Sequence, residues 1–164
     1  KLSPAFLEGG SVTAGNSSGL NDAASDLVIM SREKAAELGI KPLATIRAQA
    51  VAGVDPNYMG IGPVPAIRKV MEKSGLSVNE MDIIEINEAF AAQVIACNRE
   101  LDMNPARVNV NGGAIAHGHP LGATGAILIT KAVYELKRSA GRFALITACI
   151  GGGQGIATII EREA

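Results

Sequence analysis

The sequence predicts an α/β fold in which helices pack on a mixed sheet, and three observations support this class. Segments with strand character alternate with segments of helical periodicity along most of the 164 residues. Apolar residues make up 48% of the chain but aromatic residues only 3%, so the core must be aliphatic. Glycine is unusually frequent, at 19 residues, and glycine-rich turns lie beside predicted strand ends, where such sheets build their sites.

The first 40 residues are predicted to be mostly irregular, with one clear helix near their end. Residues 1–21 carry glycines and small polar residues at a density typical of loops. The largely apolar run 23–30 is interpreted as a short helix that passes into a buried strand. Ser31 is then expected to cap a helix over residues 32–38, which stops at Gly39.

From residue 42 onward, strand and helix patterns alternate regularly. Strands are predicted from short apolar or alternating runs bounded by turn residues, over 43–54, 81–86, 108–111, 143–150 and 156–160. Helices are predicted from apolar periodicity over 66–74, 88–101 and 122–138. Residues 60–63 are expected to form a tight turn, and Pro65 is placed at the first helical position after it. The run 143–150 is apolar apart from Thr147, as a central strand covered on both faces requires.

Charge and composition argue against several classes of function. With 15 basic and 16 acidic side chains, the net charge of −1 gives no field to gather the phosphates of a nucleic acid. No apolar stretch approaches about 18 uninterrupted residues, so no membrane span is expected. Cys97 and Cys149 are far apart and form no CxxC pair, which argues against a disulfide scaffold and against a metal site. The chain starts with Lys1 and shows no signal peptide, which leaves both a trimmed and a partial chain open.

Three polar or reactive side chains lie beside predicted strand or helix ends. Cys149 ends the most apolar strand, so its thiol could be a nucleophile, an acid and base, or a small core residue. His119 opens the longest helix, where its ring could donate to an oxyanion, activate a thiol or bond to loop backbone. Asn87 could hold a water or a substrate oxygen, or cap the next helix. Cys97 lies inside an apolar helix and is expected to be a core residue.

Five segments carry a resemblance to a known family, and they occur in that family's order. They are 12–22, 59–63, 87–90, 111–123 and 149–155. Together they resemble the thiolases, the coenzyme A-dependent acyltransferases of the thiolase superfamily. The resemblance implies a thiolase-like mixed sheet covered by helices, which is the carboxy-terminal half of a duplicated fold. Residues 1–40 would then end the amino-terminal half, and residues 41–164 would form the carboxy-terminal domain.

The resemblance also implies catalytic roles. His119 would activate the nucleophilic thiol and help to bind the thioester oxygen, while Asn87 would hold the water that completes this first oxyanion hole. Cys149 would be the acid/base that removes the α-proton of acetyl-CoA in condensation, with a pKa near neutrality when positive dipoles surround it. The N–H of Gly151 would contribute to a second oxyanion hole.

Substrate contacts follow from the same resemblance. Ser18 would contact the pantetheine arm, and Met59 and Phe90 would line the acyl pocket. His117 stands where a large aliphatic residue is expected, so it either tunes the pocket or packs. The resemblance implies no permanently bound cofactor, since coenzyme A and acetyl-CoA are substrates.

One departure from the family pattern concerns the nucleophile. The family's nucleophilic cysteine lies in the amino-terminal half, whose segment is absent here, and Cys97 cannot replace it. We therefore expect the carboxy-terminal part of a thiolase, inactive without the missing half, in a cytoplasmic or organellar homodimer or homotetramer. Another condensing enzyme of the same superfamily and a non-catalytic assembly module are the alternatives.

Overall fold

A computed structural model describes residues 2–163, and its four strands form one mixed sheet. The strands are β1 (Ala44–Gly53), β2 (Ile83–Ile86), β3 (Phe143–Ile150) and β4 (Gln154–Arg162). Their order in the sheet is β1-β4-β3-β2. Strand β4 is antiparallel to both of its neighbours, whereas β2 and β3 are parallel to each other. The predicted α/β class with a mixed sheet is confirmed.

Five α-helices and several 3-10 segments connect and cover the strands in the described range. The helices are α1 (Arg32–Glu37), α2 (Pro63–Ser74), α3 (Ala91–Leu101), α4 (Ala114–His117) and α5 (Thr124–Ser139). A 3-10 helix, Pro56–Ile61, follows β1 and leads directly into α2. No helix within residues 2–163 is both long enough and apolar enough to cross a membrane.

The sheet separates two aliphatic clusters. On one face, Leu128 and Leu136 of α5 pack against strand residues such as Ile146. On the other face, the larger cluster joins α2 and α3 to the sheet through residues such as Ile67 and Leu145. Burying side chains of this size stabilises the fold by about 1.5–3 kcal/mol each, so these two layers, aliphatic apart from Phe143 in the larger cluster, hold the sheet.

Both edges of the sheet are partly occupied by other groups. At the β1 edge, the ammonium groups of Lys69 and Lys73 donate to the carbonyl oxygens of Val51 and Gln49, each at 3.2 Å. At the β2 edge, Val108 forms a single parallel bridge with Ile84. These contacts satisfy polar backbone groups that edge strands otherwise expose.

Several predicted elements are confirmed with small changes at their ends. Ser31 caps α1, since its hydroxyl oxygen accepts from the backbone N–H of Lys34 at 3.1 Å. The predicted strand 43–54 forms as β1, and the predicted strand 143–150 forms as β3 at the centre of the sheet. The last strand, expected over 156–160, extends at both ends because it pairs with both β1 and β3.

The expectation of a helix and buried strand over residues 23–30 is wrong. This segment has no regular structure, and Val28 and Ile29 are 87% and 69% exposed. Its apolar composition is that of a strand, but no neighbouring strand in residues 2–163 offers it a hydrogen-bonding ladder.

Three other boundaries are also wrong for identifiable reasons. Helix α2 begins at Pro63 and not at Pro65, because residues 60 and 61 of the expected turn belong to a 3-10 helix that leads into α2. Helix α3 begins at Ala91, because Phe90 is extended and bridges to Ser17. The strand expected over 108–111 is reduced to one bridge, because the next residue adopts a positive φ of 47°.

Candidate active site

Asn87 and Cys149 lie at the carboxyl ends of neighbouring parallel strands. Ile86, the last residue of β2, is paired with Thr147 of β3, and the backbone N–H of Asn87 donates to the Thr147 carbonyl at 3.0 Å. Cys149 lies two residues further along β3, toward the same end of the sheet. The carboxyl ends of parallel strands are where α/β proteins build binding sites.

The carboxamide of Asn87 is buried without a partner. Asn87 is 1% exposed, and neither its Oδ1 nor its Nδ2 has a hydrogen-bond partner among the described residues. It does not cap α3, whose N-cap is Phe90, so the capping interpretation is wrong. Leaving a buried amide unpaired costs about 1–3 kcal/mol, and such groups in native structures call for an explanation such as a role in a site. The carboxamide can therefore accept from and donate to a bound group.

His119 is oriented by the start of α5. Its Nδ1 lies 2.7 Å from the hydroxyl of Thr124, and that hydroxyl donates to the carbonyl of Pro120 at 2.9 Å. Because the only proton of the hydroxyl is used in this way, Nδ1–H must donate to Thr124, which leaves Nε2 as the free nitrogen. Burial lowers the pKa of His119, so the neutral ring is favoured and Nε2 can accept a proton.

Residues 17–20 connect the Asn87 loop to the His119 loop. Ser17 bridges to Phe90, and the backbone N–H of Ser18 donates to the carbonyl of Ala89 at 3.0 Å. Leu20 forms a parallel bridge with His119, whose N–H donates to the carbonyl of Gly19 at 2.9 Å. This segment thus holds the loop after β2 and the loop before α5 against one chain segment.

The thiol of Cys149 is free and buried at 8% exposure, on the sheet face that carries α2 and α3. Burial raises the pKa of Cys149. The pKa near neutrality that the resemblance implies for a thiol surrounded by positive dipoles stays a prediction. A thiol with a raised pKa holds its proton more tightly, and its thiolate is a stronger base.

A close backbone approach fixes the glycine-rich turn after Cys149. A Cβ added to Gly155 would overlap the carbonyl of Gly62, and one added to Gly153 would overlap the carbonyl of Val54. Gly153 has a positive φ of 82°, which favours glycine in any case. The turn therefore packs directly on the segment that carries the 3-10 helix Pro56–Ile61.

Cys97 behaves as a core residue. It lies in α3 with no exposed surface, and its thiol donates to the carbonyl of Gly60 at 3.4 Å. Burial is the main cause that raises the pKa of Cys97 to about 11. Such a thiol is a poor nucleophile at neutral pH.

The remaining predicted site residues lie around this end of the sheet. Met59 is half-buried in the 3-10 helix, and Gly151 is exposed in the turn between β3 and β4. The ring of Phe90 packs edge-on against Phe6, with 6.1 Å between the ring centroids. His117, the last residue of α4, is exposed, and its Nδ1 lies 3.1 Å from the carbonyl of Gly118.

Thr124 is the residue of this site that sequence reasoning missed. It is 5% exposed and determines which ring nitrogen of His119 is free. Local patterns gave no signal for this bond, because His119 and Thr124 are five residues apart, a spacing that does not place two side chains on the same helix face. In the described part of the chain, no three or more His, Cys, Asp or Glu side chains are grouped as a metal site.

Comparisons with known proteins agree with the motifs. The family model for the thiolase C-terminal domain matches residues 40–162, and that for the thiolase N-terminal domain matches residues 1–33. Beta-ketothiolase BktB of Cupriavidus necator is 57% identical over 163 residues. An acetyl-CoA acetyltransferase of Syntrophomonas wolfei is 55% identical over 163 residues. These alignments cover 99% and 98% of this chain but 41% of each relative, so the chain spans about two fifths of their length.

Solved structures show the same fold at high sequence identity. The acetyl-CoA acetyltransferase of Bacillus anthracis superimposes with a TM-score of 0.97 at 53% identity, over 99% of this chain and 41% of that one. Human mitochondrial 3-ketoacyl-CoA thiolase in complex with CoA superimposes with a TM-score of 0.93 at 48% identity, over 100% of this chain and 42% of that one. The ordered motifs, the fold and these matches together show that the chain belongs to the thiolase family.

Proposed function

We propose that this chain is the carboxy-terminal part of an acyl-CoA C-acyltransferase that catalyses reversible Claisen condensation and thiolysis of 3-oxoacyl-CoA. The observation that carries the proposal is the buried, partnerless carboxamide of Asn87 in a chain of the thiolase family. A carboxamide in this state is suited to hold a water or an oxygen atom that develops charge during the reaction. The orientation of His119 and the position of Cys149 support the same assignment.

In this proposal, His119 and Asn87 serve the acyl group that is transferred. The free Nε2 of His119 accepts the proton of the attacking thiol, because its Nδ1–H is engaged by Thr124. The protonated ring then donates to the thioester oxygen, together with a water held by the carboxamide of Asn87. A neutral resting ring, favoured by its lowered pKa, is the form that this first step requires.

Cys149 and Gly151 serve the second half of the reaction. In thiolysis, the Cys149 thiol gives its proton to the α-carbon of the departing acetyl-CoA, and in condensation the thiolate takes that proton back. The raised pKa of Cys149 favours the protonated form, which suits the thiolysis direction at rest. The N–H of Gly151, next to the end of β3, would stabilise the enolate oxygen.

Substrate recognition in this proposal involves the residues around that end of the sheet. Ser18 would contact the pantetheine arm of coenzyme A, and Met59 and Phe90 would line the acyl pocket. The enzyme would need no permanently bound cofactor, because coenzyme A itself is a substrate. A nucleophilic cysteine would come from the part of the relatives that this chain does not cover, since Cys97 is buried and protonated.

The test is a full-length chimera. The chain replaces the corresponding carboxy-terminal 41% of the Cupriavidus necator relative, and thiolysis of acetoacetyl-CoA is measured. We expect the chimera to turn over and the 164-residue chain alone to be silent. His119→Ala and Cys149→Ala should each abolish turnover, whereas Lys137→Ala, a control at an exposed position of α5 away from the site, should leave it unchanged. Near-normal rates in both site variants would refute the assignment.

The same chimera separates the alternatives and tests the assembly. A requirement for malonyl-CoA would favour another condensing enzyme of the superfamily, and persistent lack of activity in a folded chimera would favour a non-catalytic assembly module.

We propose that the protein forms a homodimer or homotetramer, and light scattering of the chimera would measure its oligomeric state. We propose the cytoplasm, with an organelle as the alternative, as its compartment, and localisation of the tagged protein would distinguish the two.

A further inference from the structure

The side chain of Asn109 extends the end of β2. Its Oδ1 accepts from the backbone N–H of Ile86 at 2.9 Å, and its Nδ2 donates to the Ile86 carbonyl at 2.9 Å. The same Nδ2 also donates to Oε1 of Glu88 at 2.9 Å. Asn109 has a positive φ of 47°, a conformation that asparagine tolerates better than most residues. With three bonds to this strand end, Asn109 is held in one orientation.

The carboxylate of Glu88 spans from this strand end to the start of α4. Its Oε1 accepts from Asn109, and its Oε2 accepts from the backbone N–H of Ile115 at 3.1 Å. Gly113 leaves the space for this carboxylate, because a Cβ at that position would overlap the Glu88 side chain. A third contact steadies the same turn, since Lys131 donates to the carbonyl of Gly112 at 2.6 Å.

Glu88 therefore joins the two chain segments that carry proposed catalytic side chains. Asn87 is the residue directly before Glu88, and His119 follows Ile115 by four residues. Residues 17–20 connect these segments a second time, through the bonds to Ala89 and His119 described above. If the Glu88 bridge is removed, the contacts of residues 17–20 remain, and the segments that carry Asn87 and His119 can rotate about that connection.

We propose that Glu88 is a positioning residue that sets the distance between the Asn87 carboxamide and the His119 ring. This inference rests on the proposed function, in which both groups serve one oxyanion. Glu88 itself contacts the side chain of Asn109 and the backbone N–H of Ile115. Misplacement of a catalytic group by about 1 Å can cost about 100-fold in rate. The loss should fall mainly on kcat, because the coenzyme A contacts proposed for Ser18 do not pass through Glu88.

The test compares three variants in the full-length chimera. Glu88→Ala removes both acceptors, and we expect kcat for acetoacetyl-CoA thiolysis to fall by about 10- to 100-fold with a much smaller change in KM. Glu88→Gln keeps an acceptor for Ile115 but places an NH₂ group against the Nδ2 donor of Asn109, so its kcat should lie between Glu88→Ala and wild type. Glu72→Ala, a matched change at an exposed glutamate of α2, should leave both constants unchanged.

Amide hydrogen exchange measures the bridge independently of turnover. Exchange over residues 113–119 should be faster in Glu88→Ala than in Glu72→Ala, and intermediate in Glu88→Gln. If exchange rises but the unaltered chimera has no thiolysis activity, the bridge is supported and the proposed function fails. Unchanged exchange, a wild-type kcat in Glu88→Ala, or a loss confined to KM would overturn the positioning role. Should Glu88→Ala not fold, Glu88→Gln alone decides by the same two readouts.

Discussion

Replacement of Lys131 by methionine should destabilise the protein strongly. Glu85 lies on β2 with a fully buried side chain, and one oxygen of its carboxylate is 2.7 Å from the ammonium of Lys131, whose side chain is 17% exposed. The other carboxylate oxygen has no hydrogen-bond partner among the described residues. Lys131 is therefore the main compensation for this buried negative charge.

The magnitude follows from the distance and the burial. At an effective dielectric constant of about 20, two unit charges 2.7 Å apart attract by about 6 kcal/mol, which desolvation of both ions largely offsets. The intact pair thus contributes little net stability. In Lys131→Met the desolvated carboxylate remains alone, and breaking a buried pair in this way costs about 3–5 kcal/mol.

The cost should depend on pH in a defined direction. Burial raises the pKa of Glu85, and Lys131 offsets this only in part. For a carboxyl group with a raised pKa, the folded state binds its proton more tightly than the unfolded state, so stability falls as pH rises through the interval between the two pKa values. Lys131→Met moves the folded pKa higher still. Its deficit should be largest near neutral pH and should shrink by about 1.4 kcal/mol for each pH unit crossed downward between the folded-state pKa of the variant and that of the wild type.

Urea unfolding of the full-length chimera, followed by circular dichroism at one protein concentration, measures this deficit. Lys137→Met, the same change at an exposed position of α5, should shift the free energy of unfolding by no more than about 0.5 kcal/mol. The double variant Glu85→Gln, Lys131→Met should recover only part of the loss, since no buried charge remains but the buried amide has lost its partner. Equal stability of the two lysine variants, or a deficit that does not change with pH, would refute the reasoning.

Three further predictions concern glycine packing, the core and the thiols. Gly155→Ala should lower the free energy of unfolding by about 1–3 kcal/mol, because its Cβ would overlap a backbone carbonyl. Gly125→Ala, at a position on α5 with open space around it, should not lower it. Urea unfolding of both variants measures the difference. Ile159→Ala, at a fully buried position of β4, should cost about 2–5 kcal/mol in the same assay. Cys149 should be alkylated by iodoacetamide before Cys97, whose pKa of about 11 keeps it protonated, and earlier labelling of Cys97 in peptide mass spectra would contradict this.

The sequence predicted the elements that depend on their own composition. The strand that became β3 is apolar on both faces, and the long helix that became α5 has a continuous apolar stripe, so tertiary contacts only shifted their ends. Residues 23–30 have an equally apolar composition, yet they form no strand because a strand also requires a partner. The composition of a segment indicates whether its side chains prefer to be buried, but it does not indicate whether a neighbouring strand is present to pair with it.

The candidate site likewise has one part that the sequence predicted and another that only the structure shows. The motifs brought Asn87, His119 and Cys149 to attention, since each lies at a predicted element end. The partnerless state of the Asn87 carboxamide and the Thr124 bond that fixes the His119 ring were beyond local patterns. Both depend on segments far apart in the sequence or on the rotamer at one helix turn. The burial that raises the pKa of Cys149 on the α2 and α3 face is likewise a tertiary property.

The lysines on α2 have a consequence for self-association by strand addition. Lys69 and Lys73 place positive charge on the carbonyl oxygens along β1, so an approaching strand from another copy would have to displace both ammonium groups and bring its own lysines close to them. At the opposite side, the Val108 bridge occupies part of β2. Strand addition is thereby disfavoured along β1 and over part of β2.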